Sequence, residues 1–139
     1  MQHITEEQFT SRFVSLILGG RDLPKKPLDL HILYLSAILR LHPQRQYSEA
    51  ALNEELRRWT ERYGANFALD HVTLRRYLID AGYIQRDAAG NAYALREAGI
   101  PFSYDPALRD IDLEALLEGA RREREERKQR YLKASQGRD

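Results

Sequence analysis

Apolar residues recur at helical spacing from Leu28 to Leu41, where Leu30, Leu33, Tyr34, Ala37, Ile38 and Leu41 form a stripe that Ile32, Leu35 and Leu39 widen around the cylinder. A helix apolar over so much of its circumference is predicted to be the central, most buried one. Upstream, Thr5 followed by Gln8 has capping-box spacing, and Phe9, Phe13, Leu16 and Ile17 mark a first amphipathic helix ending at Gly19-Gly20. The connector Arg21 to Pro27 cannot continue it, because each proline restricts the residue before it and lacks an amide donor. His42-Pro43 stops the central helix. Gln46-Tyr47 is a candidate short strand, and Ser48 is placed to cap a helix whose inner face is Leu52, Leu56, Trp59 and Tyr63. Gly64 to Leu69 reads as a loop.

The pattern changes period once more downstream. Asp70 is placed to cap a helix opening at His71, with Leu74, Leu78 and Ala81 on one side and Thr73, Arg76, Tyr77 and Asp80 toward the other. Gly82 ends it. Tyr83 to Arg86 and Ala92 to Leu95 then alternate as short strands around Asp87 to Asn91, where Gly90-Asn91 supplies the positive backbone angles of a hairpin turn. The order helix, short strand, helix, helix, strand, loop, strand predicts a mainly α (α+β) fold: a winged-helix-like three-helix core, a two- or three-stranded ribbon as its wing, and added N- and C-terminal helices. The expected organisation is an N-terminal helix over residues 1–20, the winged-helix-like domain over 21–96 and an extension over 97–139. In that extension Leu113, Leu116, Leu117 and Ala120 form a narrow stripe on a helix from Asp112 to Leu132. Arg121 to Arg130 is almost wholly charged, with Glu123/Arg127 and Glu126/Arg130 at four-residue spacing. Ala134 to Asp139 is expected to be disordered.

At 139 residues the chain suits one domain with appended helices. No run approaches the roughly 18 apolar residues of a membrane span, and MQHITEEQF lacks the regions of a signal peptide, so a cytoplasmic protein with no membrane partner is expected. The absence of cysteine excludes disulfides, thiolate nucleophiles and cysteine-based metal sites. The four histidines, His3, His31, His42 and His71, show no ligand spacing on one helix face, and no metal or cofactor is expected. GxSxG, HExxH, P-loop and GxGxxG patterns are all missing, so the chain is read as a non-enzyme.

A net charge of +1 is too small to announce nucleic-acid binding by itself, so the distribution of charge carries that argument. His71, Thr73, Arg75 and Arg76 stand at or near the start of the Asp70 helix, where arginine forks match guanine edges and phosphates and the helix start offers amide donors. Arg76 has the better angle for base edges. Arg75 sits nearer the apolar side, where the alternative is a brace to the preceding helix through Glu54 or Glu55. Arg86 and Asn91 in the ribbon, and Lys25 and Lys26 in the proline-bounded connector, are candidate phosphate contacts, with solvated surface charge as the alternative. Trp59 and Tyr63 fall on an apolar stripe and are assigned to the core, whereas Tyr93 could face either side of the ribbon.

At LPKKP (Leu23 to Pro27), YSEAALNEELRRW (Tyr47 to Trp59) and DHVTLRRYLIDAGYIQRD (Asp70 to Asp87), with Tyr93, the chain resembles a bacterial family known as domain-of-unknown-function family 2087. The resemblance runs from about Phe13 to Leu95. That family occurs alone and as the C-terminal partner of helix-turn-helix regulators of the arsenic-repressor type, which implies a winged-helix-like domain in transcriptional regulation without an established activity. A tryptophan often follows the ribbon tyrosine in the family, whereas Ala94 stands here. No regulator domain precedes the match, so this copy is expected to act alone or through a partner.

The expected function is a DNA-binding transcriptional regulator acting by site occupancy on double-stranded DNA, with the Asp70 to Ala81 helix in the major groove and the Asp87 to Asn91 loop near phosphates. The alternative is a winged-helix protein-interaction module without DNA binding. A homodimer through the terminal helices is expected, anchored by Phe9, Phe13, Leu116 and Leu117, against the alternative that these helices pack within one chain.

Overall fold

The computed structural model describes residues 2–96 and 100–136. The fold is mainly α with small β elements. The chain divides into two compact units, Met1–Arg109 and Asp110–Asp139, so the boundaries expected after residues 20 and 96 both fall inside the first unit.

Local capping places the helix starts. In α1 (Glu6–Gly19) the Thr5 side chain accepts from the Gln8 amide while the Gln8 side chain accepts from the Thr5 amide, satisfying two otherwise orphaned donors. Gly20 turns extended at the end of α1 while its amide still donates to the Leu16 carbonyl at 2.8 Å, and a side chain there would collide with that oxygen. The Asn66 side chain caps the same end by donating to the Ile17 carbonyl at 3.0 Å. In α2 (Pro27–Ile38) the proline stands at the first helical position, where its missing N–H costs nothing. This helix carries an unbroken buried run from Ile32 to Ile38, as its wide stripe predicts, and ends before the expected Leu41. Arg12 clasps α1 to α2, its Nε and Nη2 each donating to an Asp29 carboxylate oxygen at 2.8 Å.

Ser48 caps α3 (Glu49–Trp59), and its buried residues Leu52, Leu56 and Trp59 are those of the predicted inner face. Trp59 donates from its indole to the buried Ser36 hydroxyl at 2.9 Å, which fixes α3 on α2. Tyr63 packs edge-on against Trp59 and Phe13. The stretch from Gly64 to Leu69, expected as a loop, is helical at its start. A π-helical turn, Thr60–Gly64, and a 3-10 turn, Ala65–Phe67, continue the cylinder, burying Tyr63 and Phe67 before Ala68 breaks it in a left-handed conformation.

Asp70 opens α4 (His71–Asp80), and Gly82, at φ 89°, reverses the chain after it. The hairpin follows as β2 (Ile84–Arg86) against β3 (Tyr93–Leu95), antiparallel with Ile84 opposite Leu95 and Arg86 opposite Tyr93. The predicted strand at Gln46-Tyr47 reduces to one bridge, in which Tyr47 and Tyr93 exchange both backbone hydrogen bonds at 2.7 and 2.8 Å. Gly90 supplies the positive φ of the hairpin loop, but Asn91 does not. The turn is closed by Asp87, whose carboxylate accepts from the Asn91 and Ala92 amides.

Two strands have no counterpart in the sequence reading. β1 (Gln2–Ile4) pairs in parallel with β4 (Phe102–Tyr104), Ile4 opposite Tyr104, and a 3-10 turn, Pro106–Asp110, follows. In the second unit α5 (Leu113–Gln136) is capped by Asp112 and buries Leu113 and Leu117. Its charged stretch forms the predicted Glu123–Arg127 pair at 3.1 Å. Ala134 to Gln136, expected to be disordered, are its last helical residues, and 137–139 lie outside the described residues. Phe9 and Phe13, two of the expected dimer anchors, are fully buried in the first unit and stacked on each other.

Candidate nucleic-acid interface

α4 is held by its inner face and offers its outer one. Leu74 and Leu78 are fully buried. At 100° per residue this leaves Val72, Arg76 and Asp80, four residues apart, as the exposed row. Asp70 accepts from the Thr73 amide at 2.7 Å, and that hydrogen bond holds its carboxyl below the usual carboxylate range. His71 and Thr73 are half-exposed on the first turn. Val72 is 50% exposed, an unusual place for a branched apolar side chain on a short helix. The Arg76 guanidinium lies 5.8 Å from the Tyr77 ring centre, and no carboxylate among the described residues forms an ion pair with it.

Arg75 is not part of that surface. Its Nη1 donates to Asn53 at 2.7 Å and pairs with Glu49 at 2.9 Å, so it braces α4 on α3. The brace foreseen as its alternative role therefore exists, with other partners. Glu54 is engaged by Arg57 and Arg58, and Glu55 by Arg58, along their own helix, whereas Glu49 and Asn53, four residues apart, share the side facing α4.

Tyr93 faces inward. Its ring is buried between two guanidinium groups, Arg75 at 5.7 Å and Arg86 at 5.9 Å from the centre, and its backbone bridges Tyr47. Alternation along the strands then turns Gln85, Ala94 and Arg96 to the outer side of the ribbon. There a polar groove of about 540 Å³ forms with Arg45 and Gln46 among its walls, because the Tyr47–Tyr93 bridge brings the Pro43 to Gln46 turn beside the ribbon. Arg45 lies 4.7 Å from the Tyr47 ring centre. Among the described residues neither Arg45 nor Arg96 forms an ion pair, and the same holds for Arg86. Arg96 belongs to the positive charge that the sequence places around the ribbon, whereas Arg45 is not predicted from it. Strand alternation could have placed Arg96, but Arg45 needed the long-range bridge.

Of the candidate DNA contacts, the structure keeps His71, Thr73 and Arg76 on or beside the outer face of α4, and Arg86 and Asn91 on the hairpin. It turns Arg75 onto α3. Lys25 and Lys26 are exposed on the connector into α2, separate from this constellation in the chain and joined to it by no ion pair. Among the described residues no cluster of histidine and carboxylate side chains could hold a metal ion, and no helix is long and apolar enough to cross a membrane.

The chain belongs to the family described as an uncharacterized protein conserved in bacteria (DUF2087), which matches residues 21–95. No curated protein and no solved structure matches the chain.

Proposed function

We propose that this protein is a winged-helix-type DNA-binding regulator acting by occupancy of a site. α4 would enter the major groove and the hairpin would lie against the backbone. The carrying observation is the row on α4: an exposed Val72 and an exposed Arg76 that forms no ion pair among the described residues, on a helix whose opposite face is fully committed to the core. A guanidinium fork reads the O6 and N7 edge of guanine, and a small apolar side chain suits a thymine methyl group. Arg86 on the hairpin and Arg45 and Arg96 on its outer groove supply phosphate contacts, which fix register without reading sequence.

The test is fluorescence anisotropy of random-sequence duplexes over a salt series, with selection of a preferred site from the bound pool. Binding whose affinity falls with salt at about 0.9 of a log unit per neutralised phosphate supports the reading. A folded parent that binds no duplex at low salt overturns it. The second reading, a module that docks a protein, is favoured by one observation in particular: Val72 is an apolar residue on an exposed face in a chain of net charge +1. Weaker duplex binding with relaxed sequence preference in Arg76→Ala favours DNA over that alternative.

A further inference from the structure

A second concavity adjoins the polar groove, sharing Pro43, Leu95 and Arg96 with it, and contains different chemistry. It measures about 430 Å³, within the range of small-molecule sites, and its walls include Ile38 at the end of α2, Leu95 of β3 and Ile100. Arg109, Arg96, Tyr104, Tyr83 and Ser103 supply its polar groups, and among the described residues no carboxylate lines it.

Arg109 is the informative residue. It is half-buried, its Nη2 donates to the Tyr104 hydroxyl at 2.7 Å and its Nη1 to the Leu41 carbonyl at 3.3 Å, and its guanidinium lies 5.7 Å from the Tyr104 ring centre. Both acceptors are neutral. Among the described residues no acid pairs with it, although a guanidinium drawn toward apolar walls is stabilised most by a carboxylate. Fastening the Pro106–Asp110 turn to Leu41 accounts for the two hydrogen bonds. It leaves unexplained why an apolar space open to ligand adjoins the unpaired cation.

We propose that this cavity is a binding site for a small monocarboxylic acid with an aromatic or aliphatic body. Its carboxylate would meet Arg109 and the Tyr104 hydroxyl, and its body would lie on Ile38, Leu95 and Ile100. The Tyr104 oxygen already accepts from Arg109, so its own proton is free to be donated to a carboxylate oxygen. Arg96, exposed at the rim, adds a second positive charge to guide the anion in. A dianionic phosphate suits the cavity less, because three strongly hydrated oxygens need more donors than these walls provide.

The site is tested by calorimetric titration of the full chain with 3-phenylpropionate, benzoate and octanoate, and with 3-phenylpropionamide as the neutral counterpart. The expected result is saturable one-to-one binding of at least one acid, with the amide weaker by about tenfold or more. Arg109→Met should weaken the acid to the level of the amide. Ile100→Trp, which fills the cavity from a half-exposed position, should abolish binding while leaving the thermal melt near that of the parent. Absence of saturable binding by all three acids at millimolar concentration overturns the proposal. So does equal affinity for 3-phenylpropionate and its amide, or unchanged binding in folded Ile100→Trp. The comparison of acid with amide uses the parent protein, so it decides even where Arg109→Met fails to fold.

Discussion

Arg75 lies 5.7 Å from the centre of the buried Tyr93 ring while its Nη1 holds Asn53 and Glu49, so one side chain joins α3, α4 and the hairpin. Its neighbour Arg76 touches only the ring of Tyr77 among these contacts. Two adjacent arginines therefore do different work. Arg75→Ala is expected to cost roughly 1–2 kcal/mol of stability, the sum of a charge-assisted hydrogen bond and a cation–π contact less the solvent screening at Glu49. Arg76→Ala is expected to change stability by no more than about 0.5 kcal/mol. Urea titrations of both variants check this, and equal midpoints would remove Arg75 from its bracing role.

For duplex binding, Arg76→Ala is expected to cost roughly 1–3 kcal/mol at a preferred site and to relax its sequence preference. Arg45→Ala and Arg96→Ala should weaken all sequences alike, each reducing the salt slope by about 1. Lys25→Ala and Lys26→Ala should have the smaller effect on that slope, since neither lysine stands on α4 or the hairpin. A larger effect from the lysines, measured by the same anisotropy series, would move the interface to the α1–α2 connector.

The Trp59–Ser36 hydrogen bond is buried at both ends. Ser36→Ala leaves the indole N–H without an acceptor and should cost roughly 1–3 kcal/mol. Adding Trp59→Phe to Ser36→Ala should cost less than the sum of the two single changes, because the stranded donor is removed with its partner. A strictly additive cycle, measured by chemical denaturation, would show that the contact carries no coupling.

Leu78 is fully buried beneath α4. Leu78→Asp places an unpaired carboxylate there and should abolish the cooperative melt, whereas Leu78→Ala should retain it with a loss of about 2–5 kcal/mol. A Leu78→Asp protein that melts like the parent would overturn the core assignment.

Burial holds the His31 imidazole below its ordinary value of 6.5, and its Nδ1 lies 2.5 Å from the Tyr83 hydroxyl, an arrangement suited to a neutral ring accepting from the phenol. The unfolded chain therefore takes up this proton first. Stability is highest above 6.5, declines as pH falls from 6.5 toward the lower folded-state value, and stops responding to this group below that value. His31→Gln should remove this part of the slope of melting temperature against pH. Identical slopes in parent and variant between neutral pH and pH 5 would show that His31 does not report folding in this way.

Elements fixed by neighbours in the chain were legible from the sequence. Thr5 with Gln8, Ser48 and Asp70 each satisfy amides within three residues, and Gly82 reverses the chain through its own φ, so those boundaries need no tertiary partner. The buried faces of α2, α3 and α4 follow from helical period alone, as do the core positions of Trp59 and Leu78. Gln2–Ile4 pairs with Phe102–Tyr104 about a hundred residues away, and strands of three residues carry too little alternation to announce themselves. The side to which Tyr93 turns depends on its bridge to Tyr47, which also brings Arg45 beside Arg96. Periodicity put Arg75 near the boundary between the two faces of α4. Glu49 and Asn53 on a separate helix drew it inward, and the neutral acceptors of Arg109 depend on Leu41 and the turn after β4 meeting in space. Hydrophobic period and capping are set within a few residues, so sequence determines them. The partner of a long charged side chain is chosen among groups distant in the chain, so only the assembled fold decides which arginines are spent and which remain to meet a ligand.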